Sequence, residues 1–200
     1  MKLILASNNK DKLREFKQLT ADMDVEIVSQ REAGYVLDVE ETGTTFAENS
    51  YLKAHAVTEI SGLPAVADDS GLVVDALGGE PGIYSARYGL GHDASDADRY
   101  NYLLKKLGDE KDRSARFVCA ICCTFPNGDI ITSYGEFEGD ILYGPRGENG
   151  FGYDPIFQPD GYDISSAEMT PEQKNAVSHR GKAMREFIQK LKEYNDAHNQ

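Results

Sequence analysis

The chain has 200 residues and a formal charge of −13 at pH 7. This acidic balance argues against nucleic acid or an anionic membrane surface as a general partner, because both bind basic surfaces, whereas a small anionic substrate needs only local positive charge. A hydrophobic content of 40% suffices for a core, no apolar run approaches the roughly 20 residues of a membrane span, and the short apolar start does not resemble a signal peptide.

Apolar periodicity predicts strands that alternate with helices in the first half of the chain. Glu48 is placed to complete a capping box with Thr45 or Thr44. The predicted elements are a strand over Leu3–Ala6, a helix over about Lys10–Thr20, a strand over Val25–Val28, a helix from Thr45 or Thr44 to about Ile60, strand segments within Leu63–Leu77 around a tight turn at Asp68–Gly71, and a helix marked by Tyr100, Leu103, Leu104 and Leu107.

The second half is predicted to be rich in strands first and helical at its end. Residues 116–143 have strand patterns around a hairpin turn at 126–129. Thr170, Pro171 and Gln173 form a helix start, with a cap, a proline at the first position and a glutamine at the third. The apolar stripe of the last helix consists of Met184, Phe187, Ile188 and Leu191. This pattern predicts an α/β fold with a mixed sheet, whose parallel part binds ligand at the carboxyl ends of its strands.

Three cysteines, Cys119, Cys122 and Cys123, lie in one apolar stretch. An odd count without a second Cys/His cluster argues against a secreted disulfide scaffold and favours a reducing, cytoplasmic location. The Cys-x-x-Cys spacing also admits a metal site, but residues 115–124 have the pattern of a buried strand. We therefore expect buried free thiols, which behave as small hydrophobic side chains.

A polar turn follows the first predicted strand and opens the first helix. It contains Ser7, Asn8, Asn9 and Lys12. Such a turn presents free backbone N–H groups and the positive end of the helix dipole, and small side chains let a phosphate approach. The Gly-Lys-Ser/Thr sequence of a P-loop does not occur here, so the alternative is an ordinary capped surface helix.

Acidic residues precede the second predicted helix. Glu40 and Glu41 come before a turn, and Glu48 and Lys53 lie on the helix. Carboxylates suit Mg²⁺, which prefers carboxylate and phosphate oxygens and keeps several waters. The alternative interpretation is a solvated acidic loop.

Two adjacent carboxylates, Asp68 and Asp69, stand between apolar segments at 64–66 and 72–74. Like charges next to an apolar core are costly unless a cation or hydrogen bonds offset them. One carboxylate could hold Mg²⁺ while the other orients or deprotonates water. The alternative is an Asx-turn with both carboxylates in solvent.

Two later segments carry candidates for nucleotide binding. Phe151 lies among three glycines, which would let its ring stack flat on a planar base, although a hairpin with core aromatics would use the same residues. Lys174, His179 and Arg180 cluster at the predicted break before the last helix. Imidazole and guanidinium groups can donate to a phosphate or a keto oxygen, whereas lone basic residues are usually surface decoration.

The order of these motifs closely resembles the inosine triphosphate pyrophosphatase family. The five blocks are Ser-Asn-Asn-x-x-Lys, Glu-Glu-Thr-Gly-x-Thr-Phe-x-Glu-Asn-x-x-x-Lys-Ala, Ala-Asp-Asp-Ser-Gly-Leu with Pro-Gly-Ile-Tyr-Ser-Ala-Arg-Tyr, Gly-Phe-Gly-Tyr-Asp-Pro-x-Phe, and Ala-Glu-Met with Ser-His-Arg-Gly-Lys-Ala. They extend from Leu3 to about Leu191. Two departures are conservative: Asn8 stands where the family commonly has glycine and tolerates a left-handed backbone, and Ser166 keeps the hydroxyl of a common threonine.

The resemblance implies an elongated mixed β-sheet with flanking helices and two lobes around a central nucleotide-binding cleft. It implies one nucleoside-triphosphate pyrophosphatase domain over residues 1–200. The implied activity is Mg²⁺-dependent hydrolysis of noncanonical purine nucleoside triphosphates (ITP, dITP and XTP) to the monophosphate and pyrophosphate, a house-cleaning role in the nucleotide pool. A homodimer is also implied.

The resemblance also implies roles for individual residues. Asp69 would be the general base and a metal ligand, with Asp68 its neighbour, Lys53 a phosphate ligand, and Glu40 or Glu41 a further metal ligand. Lys174, His179 and Arg180 would favour a purine with a 6-keto group. The full set of implied substrate-binding residues is Ser7, Asn8, Asn9, Lys12, Ser70, Phe151, Gly152, Tyr153, Asp154, Lys174, His179 and Arg180.

Three other functions remain open at this point. A nucleotide sensor without hydrolysis would not need a water-activating carboxylate such as Asp69. A relative that hydrolyses pyrimidine or modified-nucleotide triphosphates is disfavoured by the Ser-His-Arg block, which argues for purines. A structural module would leave the charged blocks unexplained. The charge distribution is compatible with an anionic substrate, because residues 1–20 and 171–192 carry local charges of +3 and +4. Residues 126–165 carry −7. The carboxylates expected near the substrate would then require a divalent cation.

Overall fold

The fold is built on a six-stranded sheet. The structure is a computed structural model that describes residues 1–89, 91 and 93–198, without the side chains of Lys10, Asp11, Glu15 and Leu19. The strands are β1 (Lys2–Leu5), β2 (Glu26–Ser29), β3 (Ala65–Val74), β4 (Ser114–Thr124), β5 (Ile130–Ile141) and β6 (Phe157–Pro159). The helices are α1 (Lys10–Leu19), α2 (Phe46–Ser61), α3 (Asp96–Leu107), α4 (Pro171–Val177) and α5 (His179–His198).

The sheet has the order β2-β1-β3-β4-β5-β6 and contains both strand directions. β1 is parallel to β2, with Lys2 opposite Glu26, and parallel to β3, with Ile4 opposite Ala65. β6 is antiparallel to β5. The predicted α/β class with a mixed sheet and flanking helices is therefore confirmed.

The chain divides into two compact units, and β3, β4 and β5 run from one into the other. Unit 1 consists of Met1–Asp69, Ala120–Tyr134 and Ala183–Gln200, and unit 2 of Ser70–Cys119 and Gly135–Lys182. Unit 1 has a core cluster that includes Ile4, Val57 and Ala65, and unit 2 has one that includes Leu72, Leu103 and Phe157. The cleft and the single domain over residues 1–200 stay predictions.

The predicted tight turn at Asp68–Gly71 is wrong, because β3 runs without interruption from Ala65 to Val74. Asp68 is only 3% exposed, so the Asx-turn with both carboxylates in solvent is also wrong. Turn-forming residue types were outweighed by pairing within the sheet and by basic partners from distant segments. Successive side chains of a strand point to opposite faces, which separates the two adjacent carboxylates.

Other local predictions are confirmed. Thr45 caps α2 and forms the expected capping box with Glu48, and Thr170 caps α4 in the same way with Gln173. The three cysteines are buried, and none of them forms a disulfide within the described residues. Within the described residues, no helix is both long enough and apolar enough to cross a membrane.

Candidate active site

Two lysines from different helices reach the adjacent carboxylates of β3 in unit 1. Lys12 of α1 places its Nζ 2.8 Å from Asp68 Oδ1, and Lys53 of α2 places its Nζ 3.2 Å from Asp69 Oδ1. The Asp68 side chain is 1% exposed and the Asp69 side chain 13%. The two ammonium groups offset the free-energy cost of placing carboxylates next to an apolar core. The sequence predicted that a cation or hydrogen bonds would do this.

A third carboxylate completes the group around Lys53. Glu41 Oε1 accepts a hydrogen bond from Lys53 Nζ at 2.7 Å, and the Glu41 side chain is 24% exposed. The neighbouring Glu40 has an exposed side chain. The structure therefore brings Glu41 together with Asp69 and Lys53, and leaves Glu40 at the surface.

Asn49 joins this group from the first half of α2, where it is fully buried. Its Nδ2 donates to Asp69 Oδ2 at 3.4 Å, and its Oδ1 accepts from the Gly43 N–H at 2.9 Å. A Cβ on Gly43 would lie 2.6 Å from Asn49 Oδ1, so only glycine permits this approach. Asn49 thus fixes both Asp69 and the turn that follows Glu41.

Burial and charge shift the protonation of Asp69 and Lys53. Burial raises the pKa of Asp69, the Lys53 charge opposes this, and the Glu41 charge adds to it, so that the pKa lies above the ordinary aspartate value. Burial acts to lower the pKa of Lys53, but the charges of Asp69, Glu41 and Asp68 outweigh it and raise that pKa. Lys53 is therefore a fixed cation next to a carboxylate that accepts a proton more readily than usual.

The donor set fits a hard divalent cation. In the described residues, no group of three or more His, Cys, Asp and Glu side chains is arranged to hold a metal ion. Mg²⁺, however, is usually bound through one or two carboxylates together with substrate phosphates. Glu41 and Asp69 already share one cation, the Lys53 ammonium, so these two carboxylates suit such a site.

The predicted phosphate turn lies between β1 and α1. Ser7 Oγ accepts from the Asn9 N–H at 3.1 Å, and Asn9 Oδ1 accepts from the Lys12 N–H at 3.3 Å. Asn9 thus caps α1, as the alternative interpretation expected, while Asn8 is exposed. Ser70 follows Asp69 on β3, and its buried Oγ has no hydrogen-bond partner within the described residues.

The second set of predicted residues lies in unit 2 around Phe151. The Phe151 ring is 64% exposed, with Lys174 Nζ at 5.0 Å and Arg180 Cζ at 5.9 Å from its centroid. Asp154 is 2% exposed, accepts from the Phe151 N–H at 2.9 Å and pairs with Lys174. A Cβ on Gly150 would lie 2.2 Å from Asp154 Oδ2, and Gly150 has a φ of +78°. An exposed aromatic face flanked by two cations can accept the plane of a base.

Two other predicted residues are less exposed than Phe151: Tyr153 is buried and His179 is partly buried. Tyr153 is 4% exposed, packs in the core of unit 2 and donates its hydroxyl to the Ser85 carbonyl at 2.8 Å. The Tyr153 side chain is therefore part of the core of unit 2. The His179 ring stacks on Phe117, with centroids 5.0 Å apart and an interplanar angle of 14°. This stacking fixes the plane in which the imidazole presents its nitrogens.

A sequence profile of the Ham1 family matches residues 3–190. The chain belongs to the Ham1 family. This match confirms the resemblance that the five ordered motifs indicated, and the matched range covers nearly all of both units.

Curated proteins and solved structures agree with the Ham1 assignment. The chain is 50% identical to a dITP/XTP pyrophosphatase of Deinococcus deserti over 91% of this chain and 85% of that protein. It is 46% identical to a dITP/XTP pyrophosphatase of Streptomyces avermitilis over 96% and 98%. A solved Ham1 protein of Coxiella burnetii superposes with a TM-score of 0.92 at 43% identity, covering 96% of this chain and 99% of that one.

Sequence reasoning about this Ham1 chain missed the role of Asn49. The residue was part of a recognised motif, yet its partners Gly43 and Asp69 lie 6 and 20 positions away. The available signal was a polar residue followed one helical turn later by Lys53, which puts both on the same face of α2.

Proposed function

We propose that this chain hydrolyses noncanonical purine nucleoside triphosphates (ITP, dITP and XTP) to the nucleoside monophosphate and pyrophosphate. The observation that carries the proposal is the Asp69 carboxylate, which is partly buried beside Lys53, Glu41 and Asn49 and has a raised pKa. Curated relatives at 46% and 50% identity bear the name dITP/XTP pyrophosphatase, which supports the same reaction class here.

In the proposed reaction, Asp69 accepts a proton from a water molecule that attacks the α-phosphorus. A bond forms between the water oxygen and that phosphorus, the bond to the bridging α–β oxygen breaks, and pyrophosphate leaves with the electron pair. A base works best when its pKa approaches the working pH, and in the metal-free chain burial moves the pKa of Asp69 in that direction. Asn49 and Lys53 hold the carboxylate in place.

The cations of unit 1 would neutralise the phosphates. Lys53 stays charged because the surrounding carboxylates raise its pKa. Lys12 extends from the first turn of α1, whose N-terminus adds the positive end of a helix dipole. Phosphoryl transfer depends mainly on positioning and on stabilisation of spread negative charge, which these groups supply.

We assign Glu41 and Asp69 as the residues that would hold Mg²⁺. When bound, Mg²⁺ would neutralise phosphate charge and act as a Lewis acid on the phosphoryl oxygens. Glu41 is favoured over Glu40 because its carboxylate already shares a cation with Asp69. Metal dependence is tested by removing Mg²⁺ with a chelator and restoring it.

In unit 2, Phe151 would stack on the base while His179 and Arg180 read its edge. Donors from these side chains satisfy a purine 6-oxygen, which inosine and xanthosine carry. The 6-amino group of adenine would oppose donor with donor and leave buried polar groups unpaired, which disfavours ATP.

The test is pyrophosphate release with Mg²⁺ from ITP, XTP and dITP, beside ATP, GTP and dTTP. We expect release from the first three and little from ATP. Nucleotide binding without release from any of them would indicate a sensor, and a preference for dTTP would indicate a pyrimidine-specific enzyme. Either result would contradict the proposal.

We also propose a cytoplasmic homodimer. Three buried cysteines without a disulfide in the described residues suit a reducing compartment. The dimer rests on the family resemblance alone, and light scattering of the purified chain tests it directly, because a monomer mass would contradict it.

A further inference from the structure

A carboxylate from α3 holds the backbone of the segment that carries Phe151. Asp96 Oδ2 accepts a hydrogen bond from the Gly152 N–H at 2.6 Å, across 56 positions of the chain. Both residues lie in unit 2. None of the sequence motifs includes Asp96, so this contact comes from the structure alone.

Arg99 fixes the orientation of that carboxylate. Arg99 Nη2 donates to Asp96 Oδ1 at 2.5 Å, and Arg99 Nη1 donates to the Ala94 carbonyl at 2.5 Å. Burial acts to raise the pKa of Asp96, but the Gly152 amide and Arg99 outweigh it and lower that pKa. Asp96 is therefore ionised at neutral pH and makes a charge-assisted bond to the amide.

Asp96 is not needed to cap its own helix. The N-cap of α3 is Ser95, which forms a complete capping box with Asp98: Ser95 Oγ accepts from the Asp98 N–H, and Asp98 Oδ2 accepts from the Ser95 N–H, both at 3.1 Å. The Asp96 oxygen that accepts from the Gly152 N–H therefore stabilises the segment that carries Phe151, and it is not used to cap the start of α3.

The result is a clamp on two consecutive backbone amides. Asp154 accepts from the Phe151 N–H and Asp96 accepts from the Gly152 N–H. Gly152 has a φ of +63°, a left-handed conformation that glycine adopts without strain. Both amides are therefore bound to carboxylates, which restrains the backbone on both sides of the exposed Phe151 ring.

We propose that Asp96 is a positioning residue for recognition of the purine base: by binding the Gly152 amide it fixes the Phe151 ring in the plane that stacks on the base. The inference rests on the proposed function. It predicts that loss of the Asp96 carboxylate weakens nucleotide binding while the chemical step, which depends on Asp69, continues.

The experiment compares Asp96→Ala with Asp98→Ala. For Asp96→Ala we expect KM for ITP and the Kd for inosine monophosphate, measured by calorimetry, to rise about tenfold, with kcat within about twofold of wild type. Asp98→Ala removes the carboxylate half of the capping box at the same helix end without touching Gly152, so it is expected to lower Tm by a few degrees and to leave KM and Kd unchanged. Asp96→Asn keeps an acceptor oxygen and the side-chain shape, and we expect a smaller rise than for alanine; this variant serves if Asp96→Ala does not fold.

Unchanged KM and Kd in Asp96→Ala, or an equal rise in Asp98→Ala, would overturn the inference, because the second result would assign the effect to helix stability. A loss of kcat as large as the rise in KM would also overturn it. The proposed function fails separately, if wild type releases no pyrophosphate from any triphosphate. In that case the binding of inosine monophosphate still decides the role of Asp96.

Discussion

The two groups of site residues use carboxylates in opposite ways. In unit 1, burial raises the pKa of Asp69, and Lys53 opposes that shift without cancelling it. In unit 2, burial also acts to raise the pKa of Asp96, but the Gly152 amide and Arg99 outweigh it, so that this pKa is lowered. The first carboxylate is held where it accepts a proton more readily than usual, whereas the second is kept ionised as a hydrogen-bond acceptor.

This difference separates a carboxylate suited to proton transfer from carboxylates that hold the backbone of a binding segment. A raised carboxylate pKa suits proton transfer but opposes folding at neutral pH, because the ionised form is less stable in the folded chain than in the unfolded chain. Carboxylates bound to backbone amides stabilise one conformation and need not change protonation. We therefore expect substitution of Asp69 to change the chemical step and substitutions around Phe151 to change binding.

The largest expected effect comes from Asp69→Asn. Without the base, we expect kcat for ITP to fall about 10²- to 10⁴-fold, as measured by pyrophosphate release. Because the folded-state pKa of Asp69 is raised, its carboxylate reduces stability as the pH rises above the ordinary aspartate value. The neutral amide removes that cost, so Tm at pH 7 should be no lower than in wild type.

The matched control is Asp75→Asn, which changes the aspartate directly after β3. Asp75 is paired with Arg116 at the surface, 3.0 Å from its NH1 group, so we expect kcat to be unchanged. Near-wild-type turnover by Asp69→Asn would remove this residue from the chemistry and would break the contrast between the two units.

Phe151→Ala is the corresponding substitution in unit 2. Stacking of a base on an aromatic ring contributes about 1–3 kcal/mol, so we expect KM for ITP to rise about tenfold or more with little change in kcat. The control is Tyr143→Ala, because this ring is 66% exposed, close to the 64% of Phe151, and stacks on Arg113 instead. A fall in kcat without a rise in KM for Phe151→Ala would assign the ring to the chemical step.

The opposing charges around Asp69 give a smaller effect of known sign. Its pKa can be read from an NMR titration of the carboxyl carbon in the nucleotide-free protein, and we expect a value above the ordinary aspartate value of about 3.9. Lys53→Gln removes a charge that lowers this pKa and should raise it further, whereas Glu41→Gln removes a charge that raises it and should lower it. An unchanged pKa of Asp69 in both variants would show that burial alone controls it.

Local sequence patterns predicted the elements but not the contacts that assemble the site. The boxes of Thr45 with Glu48 and Thr170 with Gln173 were predictable because each is complete within four residues. The predicted turn within β3 was wrong because Asp68 and Asp69 are stabilised by lysines 56 and 16 positions away. The conformational preferences of neighbouring residues give no information about partners so far away in the sequence.

The same reason explains the residues that were missed or left ambiguous. Asp96 bonds an amide 56 positions away, and Asn49 bonds a carboxylate 20 positions away. The choice between Glu40 and Glu41 depends on which side chain turns toward Lys53, which adjacent identical residues do not reveal. The stacking of Phe151 on a base could be argued from its neighbouring glycines, but only the ordered set of motifs favoured it over a hairpin with core aromatics.

The smallest expected effects come from the capping boxes of α2 and α4, which lie in different units. Thr45→Ala and Thr170→Ala each remove one cap, at a cost of about 1 kcal/mol. α2 has 16 residues and retains Lys53 in its middle, so Thr45→Ala should lower Tm by about 2–4 °C and leave KM unchanged. α4 has only 7 residues and carries Lys174 in its last turn, so the same loss frays a larger share of the helix.

For Thr170→Ala we therefore expect a rise of about two- to threefold in KM for ITP, because Lys174 would no longer be held beside Phe151 and Asp154. Thr→Ser at each position keeps the capping hydroxyl and should restore both Tm and KM. If Thr45→Ala raised KM as much as Thr170→Ala, nucleotide binding would depend on helix stability in general, and the separation of binding from chemistry between the two units would be lost.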